Sequence, residues 1–421
     1  MSKPLQSKQV SYVNVYNTFA VFLFSALALI VPSGYSYGPL LLFFASFLLI
    51  VRRPSFNLES HDWWFIAAIS TYFCTSIFLN LYQNLPFSSY DKPLRYLIAI
   101  PVYLFLVAFP SHRNGLFLGI IFGSLGAGVF AFYQQHFLYD QLVWPGRSNG
   151  FLNPIQFGNI SFLIAVLSIV FAIFFPFSNK EKYIYVLLLV SGVAGFLASF
   201  LSLSRGGWLA LPVLFLLMYK LLENKQKKIF RLISAITLFL LIGLIAVLPK
   251  ENAFKNRLFE TNVEVLSIAE TGSVSERTSM GSRLKMWSNG INAWIERPFL
   301  GWGSLPAIKK QFPEQWAELN KLDDFNHLHN EYIDALAKNG IVGFTSFIFL
   351  LIAPLYYFVG IIRKKSTEAI PFAAAGIALI VCIMIFGLTQ CFLLHHSGTM
   401  VFLFYLVIIK AFCRAAVVNK D

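Results

Sequence analysis

An all-α protein passing repeatedly through a membrane is the fold class this sequence predicts, and three observations predict it. Hydrophobic residues fill 57% of the 421 positions and charged ones only 13%, more apolar surface than one soluble core absorbs. Mean hydropathy is correspondingly high, +0.66. Apolar windows near the ~20 residues that a membrane helix needs recur from end to end. Basic residues gather in alternate connections, as the positive-inside rule requires.

Twelve spans are read, centred on residues 12 to 31, 38 to 51, 62 to 80, 94 to 109, 115 to 135, 157 to 177, 183 to 203, 207 to 221, 230 to 248, 340 to 361, 370 to 390 and 396 to 413. The second and eighth are the shortest. The first ten residues are polar, with Lys3 and Lys8, but the apolar run behind them exceeds the ~7 to 15 residues of a cleaved signal, so it is expected to stay as the first span. The chain therefore divides into residues 1–248 with spans one to nine, a large external loop over 249–339, and residues 340–421 with spans ten to twelve and a short cytoplasmic tail.

With the N-terminus inside, the even-numbered connections carry Arg52 and Arg53, Arg113, Lys180 and Lys182, Lys225, Lys227, Lys228 and Arg231, then Arg363, Lys364 and Lys365. The formal net charge of +13 thus reads as topology and attraction to anionic membrane lipids. Nucleic acid is excluded as a partner, because no basic soluble module is present. The large loop holds two candidate amphipathic helices, Ser282 to Glu296 and Pro313 to Leu322, and Trp287, Trp294, Trp302 and Trp316 suit a segment at the lipid interface. Gly115, Gly119 and Gly123 look superficially like a phosphate loop, but inside an apolar helix their spacing fits close helix packing. Cys74, Cys382, Cys391 and Cys413 all lie within or beside spans and form no disulfide framework or CxxC site.

The external side carries the chemistry. "GRSNGFLNPIQFGN" brings Arg147, Asn153 and Gln156, "LSRGGW" brings Arg205, "MGSRLKMW" brings Arg283, and "HLHNE" brings His327, His329 and Asn330; Lys92 and Arg95 share that side. A membrane-boundary arginine has a plain explanation in snorkelling to headgroups. Arg205 is less ordinary, since Gly206 and Gly207 follow it in a minimal connection. Several arginines at one boundary suit a diphosphate, which a guanidinium binds bidentately without losing charge. No Walker loop, dinucleotide fingerprint or HExxH is present, so no nucleotide or other cofactor is expected and energy must come from the substrate. Asp323, Asp324, His327, His329, His395 and His396 match no standard metal spacing, and no metal is expected. A neutral imidazole at His329 is suited to take a proton from a sugar hydroxyl; capping the next helix is its plain alternative.

His329-Asn330, nine residues and then Gly340-x-x-Gly343, together with "SRGG" at Arg205 and "GSRLKMW" at Arg283, resemble the O-antigen ligase family, within the superfamily that includes O-antigen polymerases and protein O-oligosaccharyltransferases. The twelve spans and single large loop resemble the family as well, so the likeness runs over nearly the whole chain. It implies a GT-C-like architecture in the inner membrane of a Gram-negative bacterium, with the active site facing the periplasm. The implied reaction is a metal-independent, inverting transfer of O-antigen from undecaprenyl diphosphate to a sugar hydroxyl of lipid A-core. His329 would activate the acceptor and Arg205, Arg283 and Arg147 would hold the diphosphate. His327, Asn330, Gln156, Asn153, Lys92 and Arg95 are candidate substrate-binding residues. A polymerase shares the donor and the large loop. A protein-glycosylating member commonly carries a further external domain, whereas only about ten residues follow the last span here. A transporter should show repeated halves and mid-span ionisable groups.

Overall fold

Every element among the described residues is helical. The computed structural model describes residues 3–144, 146–222, isolated positions between 224 and 235, 279–322, 326–364 and 368–418. The helices of the bundle are α1 (Lys3–Leu27), α2 (Tyr37–Ser46), α3 (Leu48–Arg52), α4 (Ser60–Tyr82), α5 (Asp91–Ala108), α6 (Arg113–Phe137), α7 (Pro154–Phe174), α8 (Lys182–Leu201), α9 (Ala210–Leu221), α13 (Glu331–Arg363), α14 (Ile370–Phe386) and α15 (His396–Val418). Between α9 and α13 lie α10 (Ser279–Glu296), α11 (Leu305–Gln311) and α12 (Pro313–Leu322). Among the described residues seven helical stretches are long and apolar enough to cross a membrane, which makes this a multi-pass membrane protein. The ninth expected span, 230 to 248, falls outside the described residues, and the second is broken at Phe47 into α2 and α3.

The bundle forms around α7, whose most apolar window is 94% buried and which packs on α8 and α14. A helix apolar on every side belongs inside, and α7 has no polar face to offer water. The glycine series of α6 serves packing: a Cβ on Gly115, Gly119 or Gly123 would stand 2.4, 2.7 or 2.1 Å from backbone oxygens of Thr18, Phe22 or Ser25 on α1. Small residues here let the two backbones touch where lipid supplies no hydrophobic drive.

At the bundle end where α4 starts and α15 finishes, Asp62 is wholly buried and accepts from Tyr103 (2.5 Å), Lys410 (2.8 Å) and Arg414 (2.8 Å). Lys410 is also wholly buried, and its ammonium lies 3.8 Å from the centre of the Tyr357 ring. One carboxylate thus joins α4, α5 and α15, with α13 against the ammonium. Removing one member leaves an uncompensated buried charge, which costs about 3–5 kcal/mol. Asp62→Asn is therefore expected to lower the melting temperature of the detergent-solubilised protein sharply, and Asp62→Leu with Lys410→Met to regain much of it. An Asp62→Asn protein melting with the wild type would show the cluster to be dispensable.

The loop helices form a second small core, and of the four tryptophans read as interfacial it takes Trp316 wholly inside. Trp316 is wholly buried with Met286, Ala293, Ile308 and Leu328, and Trp287 and Trp302 pack against them. Their aromatic area holds the loop together. The expected helices over 282–296 and 313–322 are present as α10 and α12, and α11 lies between.

The expected boundary at residue 339 is a kink inside α13. Gly340 has φ 62° and ψ −167°, a left-handed conformation that favours glycine, and a Cβ there would meet the Phe299 carbonyl at 2.2 Å. The groups that the break frees are taken up by the turn after α10. Ile341 N–H donates to Pro298 O (2.8 Å), while Ala337 and Lys338 carbonyls accept from Trp302 N–H (3.0 Å) and Gly303 N–H (2.7 Å). The short helical segment Glu331–Asn339 is thereby fixed between the bundle and the loop core.

Candidate functional site

That segment begins one residue after Asn330, and Asn330 sets its start. The Asn330 Oδ1 accepts from Tyr332 N–H (3.0 Å) and Ile333 N–H (3.1 Å), and its Nδ2 donates to Leu388 O (3.1 Å). Asparagine is among the best N-caps because its oxygen satisfies donors the helix cannot. His329 precedes the cap with φ 51°, in the left-handed region where few non-glycine residues sit. Both histidines precede the helix, and their rings pack with centroids 4.2 Å apart.

Gln390, in the connection after α14, joins the histidines. Its Oε1 lies 2.8 Å from His329 Nδ1 and its Nε2 lies 3.0 Å from His395 Nε2. An amide oxygen only accepts and an amide nitrogen only donates, so His329 carries its proton on Nδ1 and His395 accepts at Nε2. The basic nitrogen of a neutral His329 is then Nε2. Burial drives the neighbours toward the neutral form: His327 is lowered to about 2 and His395 to about 4, with repulsion from nearby cations and histidines adding to it. The histidines are thus linked by an amide and not by carboxylates. The acidic pair Asp323 and Asp324 lies outside the described residues.

The arginine-bearing segments are anchored to the residues that hold this cluster. Arg205 opens a short 3-10 turn packed against α14, where a Cβ on Gly206 would meet Thr389 Oγ1 at 2.2 Å. Thr389 directly precedes Gln390. Arg283 stands one turn before Trp287 on α10, whose indole N–H donates to Leu328 O (2.9 Å), the carbonyl between the two histidines. Residues four apart share a helix face, so Arg283 projects from the face that grips this strand. Arg147 reaches the same corner: its Nε donates to Ser202 O (3.0 Å), and Ser148 N–H donates to Leu201 O (3.0 Å), at the end of α8 just before Arg205. Arg147, Arg205 and Arg283 are all half-buried.

Other candidates hold the scaffold. Asn153 caps α7 by accepting from Gln156 N–H (2.9 Å). Gln156 is buried, and its amide donates to Phe392 O (3.3 Å) and accepts from Ser397 (3.4 Å), pinning the connection that carries His395. Lys92 lines a cavity with Leu393, Leu394 and His396 of that connection, and Arg95 is paired to Asp91 at 2.7 Å. Gln390 was missed in the sequence. Its signal was a lone amide in the short apolar connection "GLTQCFLLHH", which only the packing of the end of α14 beside Glu331 aims at a residue 61 positions earlier.

A family profile described as O-antigen ligase matches residues 190–348, which include Arg205, Arg283, His327, His329 and the Gly340–Gly343 pair. An uncharacterized protein of Haemophilus influenzae is 30% identical over 386 residues, 90% of this chain and 93% of its own length. An O-antigen ligase of Escherichia coli K12 is 29% identical over 183 residues, 42% of either chain. With its helical bundle, the matched histidine and arginine segments and these relatives, the chain belongs to the O-antigen ligase family.

Proposed function

We infer that this protein transfers O-antigen polysaccharide from undecaprenyl diphosphate to a sugar hydroxyl of lipid A-core, at the periplasmic face of the inner membrane of a Gram-negative bacterium. One observation carries the reading: His329 is oriented by Gln390, and the segments bearing Arg205 and Arg283 are both anchored to residues adjoining that pair. In the transfer the acceptor hydroxyl oxygen attacks the anomeric carbon. The carbon–oxygen bond to the diphosphate breaks with its electron pair leaving on that oxygen, and the acceptor proton passes to His329 Nε2. Attack opposite the leaving group inverts the anomeric centre. The arginines bind the diphosphate and offset the charge that grows on it, an effect strongest in the transition state.

The test is a purified protein in lipid nanodiscs, given lipid-linked O-antigen and lipid A-core, with and without a chelator. Transfer of the polysaccharide to the core is expected at the same rate in both. Chain extension of the lipid-linked repeat with no product on the core would make the protein a polymerase instead, and loss of transfer on chelation with recovery on adding a divalent cation would overturn the metal-free mechanism.

A further inference from the structure

Gln135, in the last turn of α6, fastens the backbone that carries Arg147 to the backbone that leads to Arg205. We propose that Gln135, with Gln134 beside it, is a positioning residue that fixes the spacing of Arg147 and Arg205, so that their guanidiniums take the two phosphates of one diphosphate together. The proposal rests on the transfer reading above and adds to it the residue that makes a two-point clamp of two separate arginines.

The Gln135 amide stands where the two segments meet. Its Nε2 donates toward Gly146 O (3.2 Å) and Ser148 Oγ (3.1 Å), on either side of Arg147, and toward Leu201 O (3.4 Å) at the end of α8. Ser148 completes the joint: its N–H donates to the same Leu201 carbonyl (3.0 Å), and its hydroxyl donates to Ala131 O (3.0 Å), one turn back on α6. The next carbonyl, Ser202 O, accepts from Arg147 Nε (3.0 Å). A bond at Nε fixes the plane of a guanidinium, so the strand that runs on to Arg205 sets the orientation of Arg147.

Gln134 holds the far side of the loop. Its Oε1 accepts from Asn149 N–H (3.1 Å) and Gly150 N–H (3.0 Å), and its Nε2 donates to Asn149 Oδ1 (3.1 Å). The Arg147 loop is thus gripped by α6 before and after the arginine. The turn to Arg205 needs the same support. Leu203 lies at φ 55°, a conformation that a leucine rarely adopts and that persists only where its surroundings over-determine it. The carbonyls just before it, Leu201 and Ser202, are the ones that Gln135, Ser148 and Arg147 engage. Loss of the Gln135 amide therefore loosens the two arginine segments relative to each other and leaves both charges in place. A neutral amide suits this role, since it donates to carbonyls without adding a charge beside the phosphates.

The test compares undecaprenyl diphosphate with undecaprenyl monophosphate as ligands of the full-length protein in nanodiscs, because only the diphosphate spans both arginines. The wild type is expected to prefer the diphosphate. Gln135→Met, which keeps the length and removes the amide, is expected to reduce that preference about tenfold, as for loss of one charge-assisted contact, with the monophosphate Kd unchanged. Gln135→Asn, which withdraws the amide by one carbon, should do the same and stands in where Gln135→Met fails to fold. In an Arg147→Ala background Gln135→Met should weaken diphosphate binding no further, since members of one network do not add. A full additional loss there, equal weakening of both lipids, or an unchanged preference in both variants shows Gln135 to serve only the fold and overturns the proposal. A wild type that binds the two lipids equally overturns it as well. Failure of undecaprenyl diphosphate to bind the wild type counts instead against the transfer reading, so the two failures stay distinct.

Discussion

Replacing His329 by alanine lowers the transfer rate by roughly 10²- to 10⁴-fold, the range for loss of a positioned general base, while expression and undecaprenyl diphosphate binding stay near wild type. The expectation follows from the Gln390 amide, which fixes the tautomer and turns Nε2 toward proton acceptance. Gln390→Leu should then slow transfer less than His329→Ala does, because the imidazole remains but its tautomer and orientation are no longer set. The pH profile discriminates further. His327 and His395, held at about 2 and about 4 by burial, are neutral above about pH 5. An acid limb in the rate above that pH belongs to neither of them. It should persist in His327→Ala, which is expected to keep substantial activity. A purified His329→Ala enzyme that transfers at the wild-type rate would remove the general-base role.

Arg205→Lys and Arg283→Lys are the second pair of large effects, each expected to lower transfer by about 10² to 10³, as for loss of one transition-state donor. Charge is kept in both variants, but the planar fork that meets two phosphate oxygens together is lost. A merely snorkelling arginine would tolerate lysine, so the substitution separates the two roles. The loss should appear mainly in kcat, since the charge being offset grows as the glycosidic bond breaks. Wild-type rates in both variants at normal protein levels would dismiss them as diphosphate clamps.

Much of the architecture is legible in the sequence. Long apolar runs must become helices in lipid, because the backbone has no water to satisfy it. The two amphipathic loop helices showed as a periodic apolar stripe, and the glycines of α6 showed as a small-residue face. Trp316 misled, since an aromatic ring suits either a membrane boundary or a small core, and only the packing of α10, α11 and α12 places it inside. The Asp62–Lys410–Arg414 cluster was passed over. Lys410 and Arg414 lie about 350 positions from their carboxylate, and a lone charge at a span end looks the same whether it is paired or solvated.

By itself the sequence determined that the chain is a helical membrane protein with one large loop, and which arginines and histidines were worth considering. These are properties of composition, periodicity and local spacing, which act over a turn or two of chain. Tertiary structure alone decided that Gln390 orients His329, that Gln156 serves the scaffold, and that Lys92 faces a separate cavity. Each of those depends on which helix ends meet, and hydrogen bonds bridging 55 to 350 residues leave no mark on local pattern because they form only once the bundle has closed.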